Sequence, residues 1–170
     1  MSTLLEKEIK VNRILTTSVK HARAIEDPAR AKIIEILYHR ALSADQILTE
    51  LKKTGYKKAL TTVRHHLDIL KESGLIEIAK IEESRGAITK FYSTSTRLLG
   101  YATPDDFESV YSKVIDNTAE KIEKILRIIT PKTTKSKKTK GDNSKDYSQY
   151  LVMEIMNRAM TNIMENSNQD

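Results

Sequence analysis

Residues 57–93 read KKALTTVRHHLDILKESGLIEIAKIEESRGAITKFYS, and this stretch decides the fold. Leu60, Val63, Leu67 and Leu70 recur at steps of three, four and three, which stripes one face of a helix with apolar side chains. The helix is expected over about 59–73. Ser73-Gly74 stops it, because glycine takes the left-handed backbone of a helix C-terminus without a Cβ penalty. Leu75 to Ile81 then alternates at the β period, with Ile76 and Ile78 on one face. Glu82 to Gly86 is a turn cluster, and Ala87 to Ser93 is rich in strand formers again. The hairpin is expected over 75–93.

Upstream, Asp27-Pro28 marks a sharp boundary, since Asp caps a helix and Pro suits its first position. Ala29 to about His39 carries Ala29, Ile33, Ile36 and Leu37 on one face. Ser43 with Gln46 three residues on has the form of a capping box. Ile47, Leu48 and Leu51 give the next helix its apolar side, and Thr54-Gly55 ends it. A brief connection leads to Ala59. Two short helices, a turn and a following hairpin have the order of a winged helix-turn-helix, expected over 27–95. Residues 1–26 are expected as a helical extension with a broken stripe of Leu5, Ile9, Leu15, Val19 and Ala22. The fold class is therefore mainly α with a small β-hairpin wing.

Residues 19–94 resemble the winged-helix regulators of the ArsR type. The family's small-polar run, His-Leu pair and Leu-x-x-x-Gly-Leu-Ile/Val correspond to Thr61-Thr62, His66-Leu67 and Leu70 through Gly74-Leu75-Ile76. The segment AIEDPARAKIIEIL is similar to that family's opening helix. The resemblance implies sequence-specific binding of double-stranded DNA by a homodimeric transcriptional regulator. It also raises metal sensing, and here the chain departs from the family. There is no cysteine, and the four histidines, His21, His39, His65 and His66, make no ligand pair at a helical spacing of three or four. No metal and no cofactor is expected.

The C-terminal third carries the longest periodic segment. Over 103–130, Tyr111, Ile115, Thr118, Ile122, Ile125 and Ile129 are spaced four, three, four, three, four. That is an a/d seam of more than two heptads, and it is expected to pair with a second copy as a dimerisation helix. Thr103-Pro104 should open this helix and Pro131 should end it. Residues 131–146 lack apolar side chains and are expected as a flexible basic linker. Residues 147–166 read as a last helix, with Met153, Met156, Met160 and Met164 over much of its girth, either for a core or dimer contact or for a partner peptide.

The formal charge is +6, but residues 131–145 hold six lysines against one aspartate, a net +5 of that excess. The remainder is nearly neutral, which weakens the simple charge argument for nucleic acid. No apolar run approaches the ~20 residues of a membrane span. The first ten residues lack a signal peptide's apolar segment, so a cytoplasmic protein is expected. Only five glycines occur and none cluster, so no phosphate-cradling loop is present, and no enzyme is expected.

Opposite the leucine stripe of the 59–73 helix lie Lys58, Thr61, Thr62, His65 and Asp68. Thr61, Thr62 and His65 are the expected base readers. Arg64 flanks the stripe, placed for guanine or phosphate, and Lys57 and Lys58 precede the helix. In the wing, Arg85 and Lys90 are phosphate or minor-groove candidates, opposed by Glu82 and Glu83. His66 falls on the core side and is expected to be packed. A second reading stays open, in which the winged helix is a protein-interaction module of a transcription or replication assembly.

Overall fold

The structure is a computed structural model, and it describes residues 17–84, 86–133 and 144–166. The order is α1 (Val19–Ile25), α2 (Pro28–Leu37), β1 (Leu42–Ser43), α3 (Ala44–Lys53), α4 (Leu60–Glu72), β2 (Ile76–Ser84), β3 (Ala87–Thr94), α5 (Phe107–Thr133) and α6 (Ser144–Asn166). Residues 17–101 form one compact unit, and α5 and α6 belong to another. The first is a winged helix-turn-helix.

Three of the four helices of the first unit start on a side-chain cap, and α3 and α4 end on a backbone turn. Ser18 accepts from His21 N–H at the start of α1, and Asp27 accepts from Ala29 N–H at the start of α2, with Pro28 in the first turn. At α3 the capping box is complete: Ser43 accepts from Gln46 N–H, and the Gln46 side chain accepts from Ser43 N–H. α3 and α4 end alike. Gly55 N–H donates to Lys52 C=O and Tyr56 N–H to Leu51 C=O; Gly74 N–H donates to Lys71 C=O and Leu75 N–H to Leu70 C=O. Both are Schellman turns, and both need a left-handed residue, here Gly55 at φ 90° and Gly74 at φ 79°.

The core lies where α1–α4 meet the base of the sheet. Ile33, Ile34 and Leu37 of α2, Ile47 and Leu51 of α3, Val63, Leu67 and Leu70 of α4, and Ile76 of β2 are all buried. α1 is held to the end of α4 by Ala24 in the core and by a hydrogen bond of 2.9 Å between His21 Nε2 and the Ser73 carbonyl.

The sheet has three antiparallel strands in the order β1-β3-β2. β1 is too short to leave a periodic signal, and Ser43 serves both as its last residue and as the cap of α3. The wing turn is tighter than the expected Glu82–Gly86, because Glu82, Glu83 and Ser84 belong to β2 and Ser84 pairs with Ala87. Gly86, at φ 79°, supplies the left-handed backbone such a short connection requires. Arg85 lies outside the described residues. A bulge at Ala79, between the pairs Ile78–Tyr92 and Lys80–Phe91, changes which side chains face the core. Beyond it Ile81 and Ile88 stand exposed, diagonal neighbours across the two strands.

The second unit corrects three boundaries. α5 starts at Phe107 rather than at Pro104, because its first turn is anchored on the carbonyls of Pro104 and Asp106, which accept from Phe107 and Val110 N–H. It continues to Thr133, past Pro131, where the helix was expected to end. A proline loses one backbone hydrogen bond and crowds the preceding turn, which weakens a helix end without compelling it to stop at once. α6 starts at Ser144, three residues before the expected Tyr147. The expected linker 131–146 is shortened from both sides, and its residues 134–143 lie outside the described residues, as do residues 1–16 of the N-terminal extension.

α5 and α6 pack on one another. Burial on α5 concentrates at Ile122, Ile125, Leu126 and Ile129, and on α6 at Ser148, Val152 and the half-buried Leu151 and Met156. Those segments adjoin the connection, so the two helices run antiparallel as a hairpin. The expected seam is therefore divided. Its C-terminal residues are half-buried, whereas Tyr111, Ile115 and Thr118 are exposed.

Replacing Gly74 by Ala tests the helix stop. No atom lies within 4 Å of an added Cβ, so the cost is that of the left-handed backbone alone. We expect a loss of about 1–2 kcal/mol in urea unfolding, with Gly74→Asn losing less. An unchanged midpoint for Gly74→Ala would show that the turn does not need a glycine.

Candidate nucleic-acid interface

α4 sorts its side chains as the sequence predicts. Val63, His66, Leu67 and Leu70 are buried; Thr61, Arg64, His65 and Asp68 are exposed, and Thr62 is half-buried. Lys57 is exposed and Lys58 half-buried just before the helix. Lys57, Lys58, Thr61, Thr62, Arg64 and His65 thus lie at or just before the N-terminal end of α4. Lys90 is separate, exposed on β3 opposite Ile81.

Residue pattern alone missed one feature. The N-cap of α4 is Ala59, which makes no side-chain hydrogen bond to the helix. α1, α2 and α3 all have their first turn capped by a Ser or Asp. Only α4, of the four, leaves its first N–H groups without a side-chain acceptor, and Lys57 and Lys58 precede it in sequence. A helix start of this kind suits an anion, because unpaired N–H groups and the positive end of the helix dipole point the same way. The signal was present as an alanine where a cap residue usually stands.

Tyr92 brings the sheet close to α4. Burial pushes its phenol above the usual value, the Asp68 carboxylate adds to that, and the Arg64 guanidinium opposes both. Arg64 and Asp68, one turn apart, thus border the sheet side of α4. Among the described residues the wing carries two cations, Lys80 and Lys90. Lys80 pairs with Glu82 and lies 5.6 Å from the centroid of the Phe91 ring. Glu77, Glu82 and Glu83 are all exposed.

His66 is buried, and neither ring nitrogen has a hydrogen-bond partner. Its nearest charge is the Asp27 carboxylate, 3.9 Å from Nε2. That is too long for a hydrogen bond, so it is a charge contact. Burial lowers the imidazole's affinity for a proton; Asp27 acts in the opposite sense, and Arg30, Lys58 and His65 side with burial. The net shift is downward. Asp27 itself is pushed up by desolvation, but the Ala29 N–H, His66 and Arg30 together bring it below the ordinary carboxylate value.

Among the described residues no group of three or more His, Cys, Asp or Glu could hold a metal ion. No helix there is long and apolar enough to cross a membrane.

Residues 25–79 match the family model described as a helix-turn-helix domain. The match runs from the last residue of α1 into β2 and so contains α2, α3 and α4 entire. It agrees with the resemblance to ArsR-type winged-helix regulators carried by residues 19–94. No curated protein matches the chain. Among solved structures, HlyU from Vibrio cholerae is 17% identical, with 56% of this chain and 85% of that one covered at a TM-score of 0.35. The homodimeric winged helix-turn-helix DNA-binding domain of Mb0332 from Mycobacterium bovis, described as a possible ArsR-family transcriptional regulator, is 19% identical over 61% of this chain and 80% of its own, also at 0.35. Rv0081 from M. tuberculosis is 16% identical over 62% and 88%, at 0.34. Likenesses this distant bear on neither ligand nor target.

The orphaned imidazole sets a pH dependence. With its folded pKa below the unfolded value of about 6.5, the unfolded chain takes the proton first as pH falls. His66 therefore favours the folded state above that pH, and this contribution is lost as pH drops toward the folded value. Urea unfolding between pH 7.5 and 5.5 should show wild-type stability falling more steeply than that of His66→Leu, which has no proton to gain. Equal slopes would assign the effect to other histidines.

Proposed function

We propose that the protein binds double-stranded DNA through α4 as a homodimeric, cytoplasmic transcriptional regulator and is not an enzyme. The observation that carries this reading is α4 itself. Its leucine stripe is buried in the helix-turn-helix, and its N-terminal turn offers Thr61, Thr62 and His65 beside an uncapped helix start with Lys57 and Lys58. Such a helix reads base edges with its first turns and takes phosphate at its N-terminus. Thr61, Thr62 and His65 are assigned to bases, Lys57 and Lys58 to phosphate, and Arg64 to whichever its flank reaches. Lys90 and Arg85 are assigned to the wing contact. Two copies joined through Tyr111, Ile115, Thr118, Ile122, Ile125 and Ile129 would place two recognition helices on half-sites about 34 Å apart, one turn of DNA.

A second reading has a specific observation in its favour. The wing exposes Ile81 and Ile88 between Glu77, Glu82 and Glu83. Carboxylates repel phosphate, and paired isoleucines suit a protein surface. A protein-interaction module would use that face.

Selection of bound fragments from the source genome, followed by gel shifts, separates the two. A DNA-binding protein loses affinity steeply with salt, whereas an adaptor shows little binding at any salt. Thr62→Ala and His65→Ala should each relax discrimination at particular base positions by about 1–3 kcal/mol. Lys57→Ala should weaken all sequences alike and reduce the salt slope by about 1. Unchanged discrimination in both α4 variants would move base reading off this helix.

A further inference from the structure

We propose that the α5–α6 hairpin is half of a four-helix bundle completed by the hairpin of a second copy, so that α6 as well as α5 forms the interface. This rests on the homodimer reading above and changes its anatomy, because the α5 seam alone was expected to suffice.

The apolar surface of the hairpin is divided lengthwise. Near the connection it is covered: Val152 is 4% exposed, and Ile122, Ile125 and Ile129 are half-buried. Toward the open end the same stripes become more exposed. On α5, Val110, Tyr111, Val114 and Ile115 follow one another at helical spacing and are 60%, 45%, 59% and 39% exposed. On α6, Val152, Met156, Met160 and Ile163 lie at steps of four, four and three, and exposure rises to 55% at Met160 and 68% at Ile163. Because the helices are antiparallel, these two exposed runs lie at the same end of the hairpin.

Size argues for a partner. Val110, Tyr111, Val114, Ile115, Met160 and Ile163, at roughly 100 Å² for each half-exposed large side chain, present on the order of 600 Å². That reaches the upper limit of what a typical monomer leaves exposed, about 300–600 Å². A stable dimer buries about 800 Å² per partner. A second copy also suits the chemistry. The seam's polar member, Thr118, donates its hydroxyl to the Val114 carbonyl at 2.7 Å, so it enters an apolar contact with its donor already satisfied. Methionine adapts to packing across a two-fold axis better than a branched side chain does. A bundle uses both runs at once, whereas α5 pairing alone would leave the α6 run in water.

The chain contains no cysteine, so single-cysteine variants report without background. Met160→Cys, Val114→Cys and the exposed control Asn157→Cys would be alkylated with iodoacetamide across a dilution series, with sedimentation at each concentration. The bundle requires Met160→Cys and Val114→Cys both to react about tenfold more slowly than Asn157→Cys where the protein sediments as a dimer, and at the control rate where it sediments as a monomer. A protected Val114→Cys with a freely reactive Met160→Cys would overturn the bundle and leave the α5 dimer standing. Protection of Met160→Cys that persists in the monomer would assign the cover to the chain's own residues and overturn the proposal. A protein that is monomeric at every concentration would remove both the bundle and the homodimer.

Discussion

The domain depends on closing α4 at Gly74. The last turn of this helix must hold Leu70 in the core and then release the chain so that Leu75 and Ile76 enter it from another direction. The Schellman turn meets both demands with two backbone hydrogen bonds, Gly74 N–H to Lys71 C=O and Leu75 N–H to Leu70 C=O. The Ser73 hydroxyl donates to Leu70 C=O as well, and the Ser73 carbonyl meets His21 of α1. One turn therefore fixes where α4 ends, where the wing begins and where α1 lies. Little of this is available to a residue with a Cβ, because the left-handed backbone is where side chains are costly.

The elements set by local chemistry were legible in the sequence. The Ser43–Gln46 capping box, the Asp27-Pro28 start and the two glycine stops are short-range devices, and each is found where its residues stand. What the sequence hid was set at longer range. β1 is two residues long and exists because Leu42 and Ser43 meet Tyr92 and Phe91. The bulge at Ala79 is a matter of register between strands, and it turns a β period that looked uniform into two halves facing different sides. The residues proposed to read DNA were visible as the face opposite a leucine stripe, but the uncapped start of α4 gained meaning only beside three helices that are capped.

The C-terminal helices show how periodicity can be read correctly and still mislead. The four-three spacing from Tyr111 to Ile129 does place those side chains on one face. A stripe, however, does not name its occupant. In one chain α6 packs on α5, and the burial falls on the Ile122–Ile129 portion of the stripe. Intramolecular contact is favoured there because a short connection keeps the local concentration of α6 high. The distant end lacks that advantage, and it is where both helices keep their large side chains exposed.

Charge completes the functional picture on the proposed reading. The wing pairs Lys80 with Glu82 and displays two further carboxylates, Glu77 and Glu83, which a phosphate contact would not favour. Positive charge is concentrated instead before α4, at Lys57 and Lys58, and in the lysine-rich segment that follows α5. Fixed charges at a helix start orient a duplex, since they act at one point and over one direction. On that reading the lysines of 132–145 would add attraction that is salt-sensitive and indifferent to sequence. Residues 17–101 themselves hold 15 Lys and Arg against 10 Asp and Glu, a net +5, so on that reading the winged domain would add its own general attraction for phosphate to whatever its side chains read.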